Sequence, residues 1–290
     1  MSATARPRRS MLYMPGSNTR ALEKARTLAA DALILDLEDA VAPDAKDEAR
    51  ANVVVAARAG YGRREVLIRT NGLTTAWGRA DVEAAASSGA DGVLLPKVES
   101  AETVLEAEAI LKAAGAPESL LLWCMIETPK GVLRAESIAA ATPRLGGFVL
   151  GTSDLAKDLR CLHTPQRLPF IASLNISILA ARAYGLAVLD GVYLNLDDEA
   201  GFRAACEQGR ELGFDGKTLI HPKTIAVANE VFAPSPADLA WAERIIAAYG
   251  EAQAQGKGVV VVDGKLIENL HVADAQRLLA EAEAIAALAA

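Results

Sequence analysis

Short, continuously apolar runs recur along the chain, separated by longer segments whose apolar residues follow helical spacing. Runs that are apolar at every position indicate strands buried on both faces, as in a parallel sheet. The predicted strands are SMLYMPG from Ser10, ALILDLED from Ala32, EVLIRTN from Glu65, GVLLPKVE from Gly92, LLLWCMIET within one residue of Leu121, GFVLGTSDL from Gly147, AVLDGVYLN from Ala187 and GKTLIHP from Gly216. Helices are predicted over Thr19–Ala30, Ala80–Ser88, Ala101–Ala114 and Glu199–Leu212.

Eight strand and helix units in succession predict a closed (β/α)₈ barrel, the TIM-barrel fold of the α/β class. An open, doubly wound sheet is the alternative. No G-x-G-x-x-G or G-x-x-x-x-G-K-[ST] motif follows any predicted strand, so the usual signatures of nucleotide-binding open sheets are missing from the sequence. The barrel is therefore the preferred prediction.

The pattern changes after His221 and Pro222. We predict a helix from about Thr224, a break at PSPAD, and a longer helix near Pro236 with Ser235 as its N-cap. Asp263–Gly264 between apolar flanks predicts a β-hairpin, and a last helix follows from Ala273. The predicted domains are a catalytic barrel over 1–223 and a C-terminal region over 224–290, whose hairpin would form a lid. This region has little core of its own, so we expect it to pack on the barrel or on a neighbouring subunit.

Composition narrows the possible partners. The 290 residues are 51% hydrophobic and 23% charged, with a net charge of −7. Nucleic acids and anionic membranes need a concentrated basic face, so neither is expected as a partner, and no segment is long and apolar enough to cross a bilayer. The odd, widely spaced cysteines favour reduced thiols. We expect a cytoplasmic protein.

Polar side chains follow the predicted strands at the end where TIM-barrel active sites lie. They are Glu38, Asp39, Arg69, Asn71, Lys97, Glu99, Glu127, Thr152, Ser153 and Asp154. Carboxylates bind Mg²⁺, and arginine can hold a carboxylate through two parallel hydrogen bonds. This set therefore predicts a divalent cation with an anionic substrate.

The same motifs carry a family resemblance. MLYMPGSNTRALEKA, LILDLEDAV, IRTNG, LLPKVES, MIETPKG, LGTSDLAKDL and FDGKTLIHP together resemble the citrate lyase β-subunit-like group of CoA-ester lyases in the HpcH/HpaI aldolase superfamily, which includes malyl-CoA lyases. The match covers nearly the whole chain. The later segments LAARAYGL, LDGVY, ACEQGRELGFDGKTLIHP and VVDGKLIENLH are most similar to the (S)-malyl-CoA thioesterase branch.

The resemblance implies roles for individual residues. Glu127 and Asp154 would bind Mg²⁺, with Mn²⁺ as an alternative ion, and Arg69 would hold the carboxylate or α-oxygen of a CoA-thioester substrate. A second set lies further from the reacting atoms. Glu38 and Asp39 would hydrogen-bond metal-bound water and orient Arg69, while Lys24, helped by Arg20, would meet a phosphate of CoA beside the glycine-containing turn before the first helix.

Many family members carry a lid aspartate that exchanges a proton with the acetyl-CoA methyl carbon. Here Glu268 stands where that aspartate would align. One extra methylene moves the carboxylate by roughly an ångström, and such misplacement can cost about 10²-fold in rate. We therefore expect hydrolysis of (S)-malyl-CoA to malate and CoA, with Glu268 activating or orienting water. Reversible C–C cleavage of malyl-, methylmalyl-, citramalyl- or citryl-CoA is the alternative.

Two further alternatives belong to other classes: a non-catalytic subunit of a multi-enzyme complex, and a Mg²⁺-dependent 2-oxo-acid aldolase acting on free acids. The resemblance also implies a homo-oligomer, a trimer or hexamer. Individual residues have plainer alternatives as well. Lys97 could neutralise Glu38 or Glu99 or contact a ligand, and His221 is favoured as a capping or packing residue over a base. Ser153 lacks the G-x-S-x-G context of a nucleophile.

Overall fold

A computed structural model describes residues 6–289. Its main element is a closed barrel of eight parallel strands, each paired with the next in sequence, and β8 pairs with β1. The predicted (β/α)₈ fold is confirmed, and so are all eight predicted strands. The strands are β1 (Ser10–Pro15), β2 (Ala32–Asp36), β3 (Glu65–Arg69), β4 (Gly92–Leu95), β5 (Leu121–Ile126), β6 (Leu145–Leu150), β7 (Ala187–Asp190) and β8 (Gly216–Leu219).

Helices follow the strands. They are α1 (Thr19–Lys24), α2 (Lys46–Ala59), α3 (Gly78–Ala85), α4 (Ala101–Ala113), α5 (Pro129–Leu133), α6 (Ala135–Ala139), α7 (Thr152–Leu159), α8 (Ile171–Ala183), α9 (Glu199–Leu212) and α10 (Ile225–Phe232). Short 3₁₀ helices cover Ala25–Thr27, Pro43–Ala45, Leu168–Phe170 and Pro222–Thr224. None of the helices within residues 6–289 has the length and apolar character needed to cross a membrane.

The barrel core has two layers because successive strand residues face opposite sides. One apolar cluster contains every second residue of several strands, including Ala32 and Ile34 of β2 and Leu67 of β3. A larger cluster contains the intervening residues, such as Leu33 and Val66, together with apolar helix residues. The smaller cluster therefore fills the barrel interior, and the larger one joins the strands to the helices.

The chain divides into two compact units, one over Arg8–Phe232 and a second that includes 233–289. The compact barrel unit thus continues past residue 223, where the sequence suggests a boundary, and ends at Phe232. The reason is that α10 packs against α9, β1 and β8. Its buried residues, among them Ile225 and Phe232, belong to the larger barrel cluster.

The C-terminal unit contains α11 (Pro236–Ala254), the antiparallel strands β9 (Val260–Val262) and β10 (Lys265–Ile267), and α12 (Asn269–Ala289). Ser235 caps α11 and shares a capping box with Asp238, as the sequence predicts for Ser235. The predicted hairpin is also confirmed. Asp263 and Gly264 have φ values of 48° and 77°, the positive pair that a two-residue type I′ turn requires.

Three predicted helices differ by more than one residue from the observed ones. The helix predicted over Ala80–Ser88 runs over Gly78–Ala85. The first helix ends at Lys24 and continues only as a 3₁₀ turn, instead of reaching Ala30, because Leu28 turns to an extended conformation before β2. The last helix begins at Asn269 rather than Ala273. There the backbone N–H groups of His271 and Val272 donate to the Glu268 carbonyl, and the Glu268 N–H donates to His271 Nδ1.

Candidate active site

A cavity of about 420 Å³ opens among residues at and beyond the carboxyl ends of the strands. Its lining combines charged side chains, such as Arg69 and Glu127, with apolar ones, such as Val192. The lining residues are Tyr13, Pro15, Asp36, Asp39, Ala40, Arg69, Met125, Glu127, Leu150, Gly151, Thr152, Ser153, Asp154, Val192, Leu194, Thr218 and Ile220. Of the polar residues predicted at the strand ends, Asp39, Arg69, Glu127, Thr152, Ser153 and Asp154 line this cavity.

Arg69 is held mainly by Asp36, which is not among the predicted site residues. Arg69 donates from Nε to Asp36 Oδ1 (2.7 Å) and from Nη2 to Asp36 Oδ2 (2.6 Å), and both residues are buried. Asp36 also accepts the backbone N–H groups of Glu38 and Ala40. The expected orientation of Arg69 by Glu38 and Asp39 is therefore incomplete, because Asp36 takes the two-bond contact.

Asp36 and Arg69 meet because of their strand register. They are paired neighbours at the ends of β2 and β3. Asp36 follows Ala32 and Ile34 at a spacing of two, and Arg69 follows Leu67 in the same way, so both side chains continue the interior face. This alternation is the sequence signal that could have identified Asp36.

Glu38 connects two cationic side chains. Its Oε1 accepts from Lys97 Nζ (2.6 Å), and its Oε2 lies 3.0 Å from Arg69 Nη1. The Oε2 atom is buried and makes no hydrogen bond within the described residues. Burial raises the pKa of Glu38 despite the opposing effect of Arg69 and Lys97. The sequence predicts that Lys97 either neutralises a carboxylate or contacts a ligand. In the structure its ammonium group pairs with Glu38.

Glu127 is fixed from two sides. Its Oε1 accepts the backbone N–H of Lys97 (2.8 Å), a residue in the left-handed region with a φ of 49°. On the other side Gly151 leaves room for the carboxylate, since a Cβ atom at that position would overlap Glu127 Oε2 and Cβ. Burial and the charges of Glu38 and Asp154 raise the pKa of Glu127 to about 7.

The charge balance of this region fits a bound cation. Carboxylates outnumber the cationic groups, because Asp36, Glu38, Asp39, Glu127 and Asp154 stand against Arg69 and Lys97. No preassembled group of three or more His, Cys, Asp or Glu ligands is found between residues 6 and 289. Two carboxylates with open positions match Mg²⁺, which keeps several water ligands. Glu127 and Asp154 are thus suitable ligands for this ion.

The other residues with predicted roles are exposed, and only Asp39 among them lines the cavity. Asp39 lies on the lining with an exposed side chain, 3.9 Å from Arg69 Nη1. Arg20 and Lys24 are exposed on α1 and do not line the cavity. Glu268 is exposed directly before α12 in the C-terminal unit. The structure thus brings together the metal and arginine candidates, whereas the roles of these four residues stay predictions.

Two of the remaining polar residues have structural roles. The His221 side chain accepts the Lys223 backbone N–H through Nδ1 and caps the short helix that follows β8, in agreement with the predicted capping role. Asn71 is buried and donates to the Leu37 carbonyl and to Asp81. It therefore secures the loop after β3 instead of facing a ligand.

Comparisons with known proteins agree with this architecture. The sequence model of the HpcH/HpaI aldolase/citrate lyase family matches residues 9–222. The chain is 55% identical to the (3S)-malyl-CoA thioesterase of Cereibacter sphaeroides over 291 residues, covering 100% of both chains. It is 38% identical to the citrate lyase subunit beta of Escherichia coli K12, covering 96% of this chain and 94% of that protein.

A solved structure shows the same fold with ligands. The protein CitE from Mycobacterium tuberculosis, in complex with magnesium, acetoacetate and coenzyme A, is 30% identical with a TM-score of 0.77. The likeness covers 97% of this chain and 100% of that chain. With its barrel, its carboxylate-lined cavity and these relatives, the chain belongs to the HpcH/HpaI aldolase/citrate lyase family of enzymes.

Proposed function

We propose that this protein is a Mg²⁺-dependent enzyme of CoA thioesters that hydrolyses (S)-malyl-CoA to malate and CoA. The observation that carries the proposal is the cavity, in which Glu127 and Asp154 lie with Arg69 on one lining. Full-length similarity to (3S)-malyl-CoA thioesterases supports the choice of substrate.

Glu127 and Asp154 would hold the metal ion. When bound, Mg²⁺ would supply positive charge that polarises a substrate oxygen and offsets charge developing on it. Magnesium in the CitE complex supports this ion, and Mn²⁺ is proposed as a substitute because it also accepts carboxylate and water ligands. Glu38 would accept a hydrogen bond from a water of the ion through its buried Oε2 atom, which is ion-paired with Arg69 but makes no hydrogen bond within the described residues. The exposed carboxylate of Asp39 would do so at the rim.

Arg69 would bind the free carboxylate of the malyl group. The Nε and Nη2 groups of Arg69 already donate to Asp36, so the substrate carboxylate would accept from Nη1. Asp36 keeps the guanidinium in place before the substrate arrives, and such preorganisation lowers the cost of binding. Lys24 and Arg20 would contact a CoA phosphate, which their exposure on one face of α1 supports.

Glu268 would serve the hydrolytic step. It would take a proton from water as the water oxygen attacks the thioester carbonyl carbon, and the C–S bond then breaks. The proton ends on the CoA sulfur, so malate and CoA leave with all atoms balanced. The exposure of Glu268 beside the hairpin and α12, which we propose to form a lid, supports this role.

Cleavage of the C–C bond of the same thioester is the second candidate. The similarity to citrate lyase subunit beta favours it, as does the acetoacetate and coenzyme A complex of CitE. In that reaction the products of malyl-CoA would be glyoxylate and acetyl-CoA. Both candidate reactions use the same cavity, and they differ in the bond that breaks. Hydrolysis breaks the C–S bond of the thioester with water, whereas C–C cleavage leaves the enolate of acetyl-CoA.

We also propose a cytoplasmic homo-oligomer. The free thiols of Cys124, Cys161 and Cys206 support a reducing compartment. Exposed apolar side chains on the hairpin, Val261 and Leu266, support contact with another subunit.

Turnover of (S)-malyl-CoA with and without Mg²⁺ tests the proposal. We expect hydrolysis of malyl-CoA to require Mg²⁺ and to be lost in the Glu127→Gln variant. Free malate should not be turned over. Glu230→Gln, on an exposed ion pair with Arg203 and outside the set of candidate site residues, is the matched control. Equal turnover of free malate would favour an aldolase of free acids, and unchanged activity and Mg²⁺ affinity in Glu127→Gln would refute the metal assignment.

A further inference from the structure

Tyr13 presents a hydroxyl group at the cavity without a strong partner. It lies on β1 and lines the cavity. Within residues 6–289, its hydroxyl has a single hydrogen-bonding contact, with Met125 Sδ at 3.9 Å. A thioether sulfur is a weak acceptor. A partly buried phenol with only this acceptor retains its capacity to donate to a ligand.

Arg69 directs a third nitrogen, Nη1, toward the same sulfur, although this nitrogen is also ion-paired with Glu38 Oε2 at 3.0 Å. Nη1 lies 3.7 Å from Met125 Sδ, while Nε and Nη2 are bonded to Asp36. The Tyr13 hydroxyl and Arg69 Nη1 therefore share the poor acceptor Met125 Sδ, and only Nη1 has a carboxylate beside it as well. An anionic oxygen placed beside this sulfur could accept from both donors.

The ring of Tyr13 keeps the two donors together. The guanidinium carbon of Arg69 lies over this ring, 4.8 Å from its centroid. A cation and π-face contact of this kind holds the guanidinium near the phenol. The pair is thus preorganised by the ring contact on one side and by Asp36 on the other.

The carboxylates around Arg69 weaken its attraction for an anionic ligand. Asp36 neutralises it, and Glu38 Oε2 lies 3.0 Å from Nη1. Arg69 by itself thus offers little net positive charge to an incoming carboxylate. A neutral phenol adds a donor without attracting another carboxylate of the protein.

We propose that Tyr13 is a substrate-binding residue, and that its hydroxyl and Arg69 Nη1 donate together to one oxygen of the substrate's free carboxylate. The inference rests on the proposed function only in taking a 2-hydroxy acid as the ligand. The oxygen replaces Met125 Sδ as the acceptor. Hydrogen bonds to a charged group are stronger than neutral ones, so this contact contributes measurably to affinity.

The test is calorimetric binding of (S)-malate, in the presence of Mg²⁺, to the full-length protein and to Tyr13→Phe. The substitution keeps the ring under Arg69 and removes only the hydroxyl. We expect malate affinity to fall about tenfold or more while Mg²⁺ affinity stays unchanged. Addition of malate should also perturb the near-ultraviolet tyrosine spectrum of the wild type and leave that of Tyr13→Phe unperturbed.

Tyr61→Phe is the matched control. Tyr61 also has an arginine over its ring, Arg26 at 4.7 Å, and its hydroxyl donates to the Leu22 carbonyl. Malate affinity should be unchanged in this variant. Wild-type affinity in Tyr13→Phe, or no malate binding by the wild type, would overturn the inference. If the Tyr13→Phe variant loses malate affinity but the wild-type protein does not hydrolyse malyl-CoA, the role of Tyr13 is upheld and the proposed function is rejected.

Discussion

Glu127 depends on a neighbour that has no side chain. Gly151 is not in a left-handed conformation, so its importance is steric: a Cβ atom there would overlap the Glu127 carboxylate and its Cβ. We expect Gly151→Ala to displace the Glu127 carboxylate and to weaken Mg²⁺ binding by about tenfold or more, since misplaced ligands lose affinity on that scale. Calorimetric titration with Mg²⁺ measures the change.

Gly250→Ala is the control for that substitution. Gly250 lies within α11, where a Cβ atom would meet nothing within 4 Å. Its Mg²⁺ affinity should equal that of the wild type. Unchanged affinity in Gly151→Ala would show that the Glu127 carboxylate is not needed where the structure places it.

Glu38 should separate catalysis from metal binding. Its two oxygens face Lys97 and Arg69, so the Glu38→Gln variant should lose the charge that holds both cations. We expect turnover to fall by about 10²-fold, the scale for misplaced catalytic groups, with Mg²⁺ affinity changed much less. Steady-state rates at saturating Mg²⁺ and a Mg²⁺ titration measure the two effects. A larger loss of metal affinity than of turnover would place Glu38 on the ion itself.

At this scale, the sequence predicts which polar residues follow the strands but not how they pair. Glu38, Asp39, Arg69, Glu127 and Asp154 can be found from their positions after apolar runs. Their partners depend on three-dimensional register. Lys97 illustrates the limit, because its backbone holds Glu127 while its side chain holds Glu38, and the left-handed conformation that allows this has no sequence signal in a lysine.

A buried group of three charged residues, none of which is predicted from the sequence, joins strands β7 and β8. Asp190 at the end of β7 accepts from Lys217 Nζ of β8 (2.7 Å) and from Arg167 Nη1 at 2.7 Å to each carboxylate oxygen. The three residues are buried. Burial alone would raise the pKa of Asp190, but Lys217 and Arg167 lower it overall.

We expect Asp190→Asn to destabilise the protein by about 3–5 kcal/mol, because it leaves two buried cations without their counter-charge. Since the folded-state pKa of Asp190 is lowered, its stabilising effect is present above the unfolded pKa of about 3.9 and is lost as pH falls through the lower folded value. The difference between wild type and variant in urea-induced unfolding should therefore be full at pH 7 and shrink below about pH 4.

Glu230→Gln serves as a comparison, since Glu230 forms an exposed ion pair with Arg203. Its unfolding midpoint should stay close to that of the wild type. An Asp190→Asn variant as stable as the wild type at pH 7 would contradict the assigned charge network.

The strands could be predicted almost completely, and the helix boundaries less well. A strand buried on both faces leaves an apolar run that few other structures produce. Helix ends depend on packing and caps. The first helix stops at Lys24 because the chain must turn into β2, and the last begins early because His271 accepts the Glu268 N–H.

At the scale of the whole molecule, the proposed role of Glu268 can be filled within its own subunit or in a neighbouring one. The C-terminal unit has its own small cluster of buried residues, which includes Ile245, Tyr249 and Ile267. If Glu268 acts in a neighbouring subunit, two inactive variants can complement each other in a mixed oligomer. Mixed oligomers of Glu127→Gln and Glu268→Gln would contain sites with both wild-type residues.

We therefore expect malyl-CoA turnover to reappear when the two variants are co-expressed or are dissociated and reassociated together. Each variant alone should be inactive, and Glu268→Gln should keep its Mg²⁺ affinity. Active-site titration against subunit ratio measures the recovery. A mixture as inactive as its components would place Glu268 in its own subunit or outside the reaction.

The products formed from (S)-malyl-CoA test the central claim most directly. The purified enzyme is incubated with (S)-malyl-CoA and Mg²⁺, and the carbon products are identified by mass spectrometry while free thiol is quantified. The proposed hydrolysis predicts malate and free CoA in equal amounts. Glyoxylate and acetyl-CoA would contradict it and make this protein a C–C lyase.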